Sequence, residues 1–226
     1  MTRMRITVSE NGPYKVRGGV PLLRAEIVTN EKGESVGWRE IERYDVGDRY
    51  ELCRCGQSKT KPFCDWTHFE IGFDGTETAG HHEYMEASAC ITGSGVRLHD
   101  MRELCAEARF CDRAGGLWNL INQADDPEIR ALVEEEAMLC PSGRYTVCDP
   151  SDSPKEFDYE PSIVIVEDPQ MGMSGPLFVR GRVEIVSESG ESYEVRNRVT
   201  LCRCGASKNK PFCDGSHLAT EFRDGL

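Results

Sequence analysis

Long hydrophobic runs are missing from this chain. No stretch approaches the roughly 18 apolar residues of a membrane-crossing helix. The opening residues, MTRMRITV, lead into no apolar segment of the kind that directs secretion. Basic charge is also scarce: 27 Lys and Arg against 39 Asp and Glu leave a net charge of −12. A chain of that sign repels phosphate backbones, which argues against nucleic acid as a partner. Aromatic residues make up only 8% and hydrophobic residues 38%. Small units with so modest an apolar supply often depend on metal or disulfide staples. No nucleophile–base constellation is visible, and Gly93-Ser94-Gly95 lacks the strand-to-helix context of a phosphate loop. The expectation is a cytoplasmic, non-membrane protein of two or three domains with no substrate site of its own.

Cysteine, by contrast, is abundant, with eleven in 226 residues. In a reducing compartment, clustered cysteines read as metal ligands more often than as disulfides. Most of them fall in an internal repeat. Residues 52–65 read LCRCGQSKTKPFCD and residues 201–214 read LCRCGASKNKPFCD, identical at twelve of fourteen positions. Each copy then reaches a hydroxyl residue and a histidine, Thr67-His68 and Ser216-His217. Each is preceded by a similar strand signal, at 12–18 and 175–181, and the first copy has a longer connection, 24–50, containing Trp38 and Tyr44.

The spacing suggests how four donors could meet. On a strand, Cys53 and Cys55 would point the same way. On a helix, Cys64 and His68, four apart, would share one face, with Asp65 as its cap. Gly56 would permit a tight turn, and Cys202, Cys204, Cys213 and His217 reproduce every spacing. Three cysteines and a histidine also serve structural zinc, although zinc more often has two to four residues between its first two ligands. Ligand chemistry alone leaves zinc and iron–sulfur both open.

The segment Cys202-Arg203-Cys204-Gly205 to Pro211-Phe212-Cys213-Asp214-Gly215-Ser216-His217 resembles the signature of the CDGSH iron–sulfur (NEET) family. The resemblance covers most of residues 158–226. It implies one 2Fe-2S cluster per site, held by three cysteines and a histidine, and a β-rich fold in which two such units pair. The first copy departs from the signature with Trp66 in place of glycine and Thr67 in place of serine. Trp66 is expected either to shield the cluster or simply to pack against a neighbour.

Between the repeats, roughly 81–157, Cys105, Cys111 and Cys140-Pro141 resemble the ligands of divergent single-cluster ferredoxins, with Ala108 in the middle of the loop. Three thiolates suit a 3Fe-4S cluster, and 4Fe-4S would need a fourth ligand. Val96-Arg97-Leu98 reads as a strand, a short helix is expected near 101–109, and a second helix should be capped by Asp126 and stop before Cys140. Cys90 and Cys148 remain as packed thiols, an extra ligand or a reactive pair.

The expected fold is α+β: two small β-rich domains, 1–80 and 158–226, forming an intramolecular pseudo-dimer around a ferredoxin-like insert, 81–157. The expected function is one-electron transfer to a partner redox enzyme. A cluster donor, a redox sensor, or the redox subunit of an oxygenase or reductase are the alternatives. Residues 81–157 hold fifteen acidic and seven basic side chains. Glu103, Glu107, Asp112 and Glu134-Glu135-Glu136 crowd the central cysteines, which suggests either a solvated face or a docking patch for a basic redox partner.

Overall fold

Alternating apolar and polar residues build first-repeat strands that bury one face, whereas the second repeat's strands are buried on both faces. In the computed structural model, which describes residues 3–224, the first repeat gives β1 (Arg5–Val8), β2 (Tyr14–Arg17), β3 (Leu22–Thr29), β4 (Ser35–Tyr44) and β5 (Arg49–Leu52), followed by a one-turn helix α1 (Thr67–Glu70). The middle unit contributes α2 (Tyr84–Ala87), β6 (Ala89–Thr92), β7 (Arg97–Asp100), α3 (Leu117–Leu120), α4 (Pro127–Leu139) and β8 (Tyr145–Cys148). The second repeat gives β9 (Ser162–Asp168), β10 (Met173–Arg180), β11 (Glu184–Ser187), β12 (Arg198–Leu201) and α5 (Ser216–Ala219).

The two repeats exchange strands. One sheet runs β11-β1-β2-β5 and the other β12-β10-β9-β3-β4. In sequence order β1, β2, β3 and β5 correspond to β9, β10, β11 and β12. Each repeat therefore sends its third strand to lie parallel against the first strand of the other: β11 beside β1, and β3 beside β9. The inward residues of both sheets, among them Ile6, Val16, Leu52, Ile165, Val179, Ile185 and Leu201, form one shared core. The pairing of two units within one chain is thus an exchange of strands, and neither repeat completes a sheet alone.

The long connection of the first repeat is the β3–β4 hairpin, which extends the five-stranded sheet. Trp38 on β4 packs against Phe110 of the middle unit and Phe178 of β10, at ring distances of 5.0 and 5.8 Å. Phe110 is almost fully buried in this contact, which contributes about 1.5–3 kcal/mol of hydrophobic stabilisation. Ionic contacts fix the same junction: Arg109 grips Asp168 with two hydrogen bonds of 2.7 and 3.1 Å.

The middle unit has its own core, with Leu98, Leu117, Ile121, Val133, Tyr145 and Val147 between a three-stranded sheet, β6-β7-β8, and α3 and α4. Asp126 caps α4 by accepting from the Glu128 and Ile129 amides, Pro127 sits in the first turn, and the helix ends before Cys140, as its sequence signals require. The helix expected near 101–109 is not formed. A single 3-10 turn spans Arg102–Leu104, and Glu107 and Arg109 take left-handed φ of 53° and 61°, which break any helical run. Of the glutamates expected to form an exposed patch on α4, Glu136 is fully buried, and Glu135 pairs with Arg113 at 2.8 Å. Among the described residues, no helix is long and apolar enough to cross a membrane.

Candidate metal centres

The repeated loops fold by the same local rules. Leu52 forms an isolated bridge with Phe63, and Leu201 with Phe212, so each loop doubles back on the strand that launched it. The Cys53 amide donates to the Pro62 carbonyl at 2.8 Å and the Cys64 amide to the Glu51 carbonyl at 3.0 Å. The second copy repeats these bonds from Cys202 to Pro211 and from Cys213 to Thr200, at 2.8 and 2.9 Å. Ser58 and Ser207 hydroxyls tie the loop interior, each donating to a phenylalanine carbonyl at 2.7 Å. Asp65 accepts from the Lys59 and Thr67 amides, and Asp214 from those of Lys208 and Ser216. This is why the repeat keeps Ser, Lys, Pro, Phe and Asp between its cysteines.

The loop geometry brings the expected ligands together in both copies. Cys53 and Cys55 sulfurs lie 3.7 Å apart, and Cys64 Sγ lies 3.4 Å from His68 Nδ1. The second site gives 3.8 Å for Cys202 and Cys204 and 3.5 Å for Cys213 and His217. The route differs from the sequence expectation. Both Cys-x-Cys pairs lie past the ends of their strands, and α1 and α5 begin only at Thr67 and Ser216, so a turn, not one helix face, joins cysteine to histidine. The Asp65 cap holds the Thr67 amide, as expected.

In each site one thiol is poised to ionise, while its neighbour, Cys55 or Cys204, is pushed up by the paired thiol and by burial. The adjacent Cys55 thiol and the Ser58 and Gly56 amides lower Cys53 to about 6. Cys204, with the Ser207 and Gly205 amides, lowers Cys202 likewise to about 6. Burial raises Cys213 and Cys64, while burial and then Arg203 lower His217 to about 4, which keeps its imidazole neutral and able to ligate. Three thiols and a neutral imidazole nitrogen in each loop fit a 2Fe-2S cluster, each iron taking two protein donors.

The two sites meet back to back. A Cβ on Gly56 would fall 2.6 Å from the Cys204 carbonyl oxygen, and one on Gly205 would fall 2.6 Å from that of Cys55. Both glycines also have positive φ, 76° and 81°, so no other residue fits either position without strain. Tyr14 of the first repeat reaches across and donates to the carbonyls of Cys202 and Pro211 at 2.8 and 3.1 Å. Leu177 stands at the corresponding place in the second repeat and offers no such bond.

The middle cysteines converge as well. Cys105, Cys111 and Cys140 line one cleft with Pro141, Arg144 and Tyr145. Burial raises Cys105 and Cys111, whose nearest carboxylates, Glu107 and Asp112, lie 3.3 and 3.6 Å from their sulfurs. Three thiols facing one cleft beside a guanidinium fit a small anionic iron–sulfur cluster. This cleft adjoins the second repeat. A Cβ on Gly215 would lie 3.3 Å from the Cys105 carbonyl and 2.7 Å from Glu107 Cγ. Arg198, one strand before Cys202, is fully buried and donates to the carbonyls of Cys140 and Tyr145 at 2.7 and 3.1 Å while pairing with Glu156 at 2.6 Å. Sequence reading passed over Arg198, because a lone arginine before a strand end carries no motif.

Cys90 and Cys148 do not join the cleft. They sit on β6 and β8 with β7 between them, and β-strand alternation puts Cys148 opposite the face that Tyr145 and Val147 bury. Trp66, with left-handed φ of 71°, is 58% exposed and stacks on Phe69 at 5.8 Å beside His68.

Three donor sets of this chemistry suit iron–sulfur clusters. Comparison with known families agrees: the family described as iron-binding zinc finger CDGSH type matches residues 11–69 and 174–218, and divergent 4Fe-4S mono-cluster matches 91–150. The chain therefore joins two CDGSH units around a divergent mono-cluster ferredoxin unit. No curated protein and no solved structure matches it.

Proposed function

We propose that the protein passes single electrons between partner redox proteins, with the ferredoxin-like unit at one end and the first CDGSH site at the other. Clusters of these types accept and release one electron apiece when bound. The observation that carries the reading is the order of contacts. The Cys105 loop rests on Gly215 of the second site, and the second site rests on the first through Gly56 and Gly205. Arg198 fixes the Cys140 segment to the strand that leads into Cys202. The chain's own residues thus hold three donor sets in sequence.

Cys105, Cys111 and Cys140 suffice for a 3Fe-4S cluster. For 4Fe-4S the Glu107 carboxylate, beside Cys105, is placed to supply the fourth donor. Glu107 and Asp112, beside the Cys105 and Cys111 sulfurs, supply acidic groups at the cleft, which suits a partner with a basic docking face. Cluster donation is a second reading, supported by the first site, where Trp66 and Phe69 lie open beside the histidine ligand.

Purified holoprotein should be coloured, with acid-labile sulfide and about seven or eight irons per chain. Stopped-flow reduction by a donor docked on the middle unit should reach the first site slowly in Cys213→Ser, which lacks a second-site ligand. Unchanged first-site reduction in that variant rejects the relay. Rapid loss of iron to an apo-acceptor with no electron exchange would favour donation.

A further inference from the structure

Outside the three cluster sites, one face of the β6-β7-β8 sheet carries a group of metal-ligating side chains. His99 of β7 and Cys148 of β8 lie opposite the face that Leu98 and Val147 turn into the core. Asp152, in the turn after β8, folds back over them with a left-handed φ of 67°. One donor atom from each of the three lies within 4.8 Å of the other two. His99 is 4% exposed and Cys148 fully buried, and among the described residues the Cys148 thiol makes no hydrogen bond. It is a buried thiol beside polar groups, and burial, then Asp152 and Cys90, push it up to about 11.

The hydrogen bonds around His99 indicate what belongs there. Ser88 Oγ lies 2.9 Å from His99 Nδ1 and 3.5 Å from the Met85 carbonyl. With its proton on Nδ1 and donated to the Ser88 oxygen, the neutral ring would leave Nε2 free to ligate. Nε2 faces Asp152 Oδ1 at 3.5 Å. That separation is beyond the roughly 2.7–3.2 Å of a good N–H···O bond. It equals, within a few tenths of an ångström, the about 3.4 Å between two donors of a tetrahedral zinc ion with Zn–N and Zn–O bonds of about 2.0–2.2 Å. Arg97 holds the other carboxylate oxygen, Oδ2, at 2.9 Å and so aims Oδ1 inward. A histidine anchored through its second nitrogen and a carboxylate anchored through its second oxygen are the supports that metal ligands ordinarily receive.

We propose that His99 Nε2, Cys148 Sγ and an Asp152 oxygen form a mononuclear site for a zinc-type divalent cation, separate from the iron–sulfur centres. Nitrogen, sulfur and oxygen donors together select a borderline ion of the zinc class over magnesium or calcium, which take oxygen. The fourth position opens to solvent on the Asp152 side, since that side chain is 42% exposed. Arg97 also reaches the Cys90 sulfur at 3.4 Å, so Cys90 belongs to the surroundings of the site. A bound cation would tie the 149–154 turn to the sheet.

The test uses holoprotein with its full iron content, stripped of loose metal by a chelator and titrated with zinc against a competing chromophoric chelator. One zinc per chain should bind. Cobalt in its place should give a thiolate-to-metal charge-transfer band that is absent from Cys148→Ser. Asp152→Asn and His99→Gln should each weaken zinc by at least about tenfold, with the electron-paramagnetic-resonance signals of the clusters unchanged. Asp152 lies in an exposed turn, so its variant reads the site even if Cys148→Ser fails to fold. Absence of zinc binding by iron-replete protein overturns the proposal. So does zinc bound as tightly by Asp152→Asn and His99→Gln as by the wild type.

Discussion

The first and second CDGSH sites are copies in sequence and near copies in geometry, yet they sit in different surroundings. Their ligand distances agree within 0.1 Å, at 3.7 and 3.4 Å in the first and 3.8 and 3.5 Å in the second. The arginine between the paired cysteines is buried in both. Arg203 meets two carboxylates, Glu167 at 3.1 Å and Asp224, whereas Arg54 donates to the carbonyls of Ser9 and Gly75 at 3.0 and 2.5 Å. Gly215 is covered by Glu107 and the Cys105 carbonyl, while its counterpart Trp66 is exposed. The inner donors follow from the loop; the outer environment follows from what docks on it. By charge alone, the second cluster is surrounded by more negative groups and should have the lower reduction potential.

The largest expected effect comes where the two sites touch. Gly56→Ala places a methyl against the Cys204 carbonyl in a left-handed backbone, costing about 1–3 kcal/mol from overpacking alone. Thermal unfolding should show this loss, and iron should leave both sites together. Iron lost from the first site alone would mean that the two sites are mechanically independent. Exchanging the signature position comes next. Gly215→Trp must push away Glu107 and the Cys105 loop, so the middle unit should come loose, visible as faster proteolysis within 81–157. Trp66→Gly removes left-handed strain of about 1–2 kcal/mol and gives up an exposed stack on Phe69. Its unfolding midpoint should move little by comparison, and equal destabilisation by the two variants would erase the distinction.

The charge difference is tested by Glu167→Gln, which removes one negative partner of Arg203. The second-site potential should rise toward the first in a redox titration followed by electron paramagnetic resonance. An unshifted second potential would show that the arginine pair is not what separates the sites. A pH-dependent effect concerns the unit that covers the second site. Burial raises Glu136 from its ordinary 4.5 to about 8, with Arg113 opposing and Asp112 adding to the rise. Between those values the folded state holds a proton that the unfolded state has released, so stability falls as pH rises through this window. Glu136→Gln should remove that slope and stabilise the protein near pH 8 by about 1–3 kcal/mol. Chemical unfolding at pH 5 and pH 8 measures it, and a slope kept by the variant would place the titration elsewhere.

Much of the sites was legible in the sequence because their ligands lie close together along the chain. Fourteen residues contain the cysteines, the Ser58 and Asp65 tethers and Gly56, and a local loop needs nothing remote to form. The α4 cap and stop were legible for the same reason, since Asp126, Pro127 and Cys140 act on their own neighbours. The helix expected near 101–109 failed because Glu107 and Arg109 adopt conformations fixed by distant partners, Gly215 and Asp168. The acidic run on α4 misled because sequence shows charge and not burial, and Glu136 faces inward.

By itself the sequence determined which atoms can ligate, for spacing within a loop is local geometry. It also set the α+β character, through strand alternation and one capped helix. Only the tertiary structure decided that β3 and β11 change places. It alone decided that the middle unit rests on the second site and leaves the first open, and that His99, Cys148 and Asp152 gather on one sheet face. These arrangements join residues tens to more than a hundred positions apart. Shared cores and single buried side chains such as Phe110 and Arg198 select them, and their meaning exists only once the partner surfaces are in place.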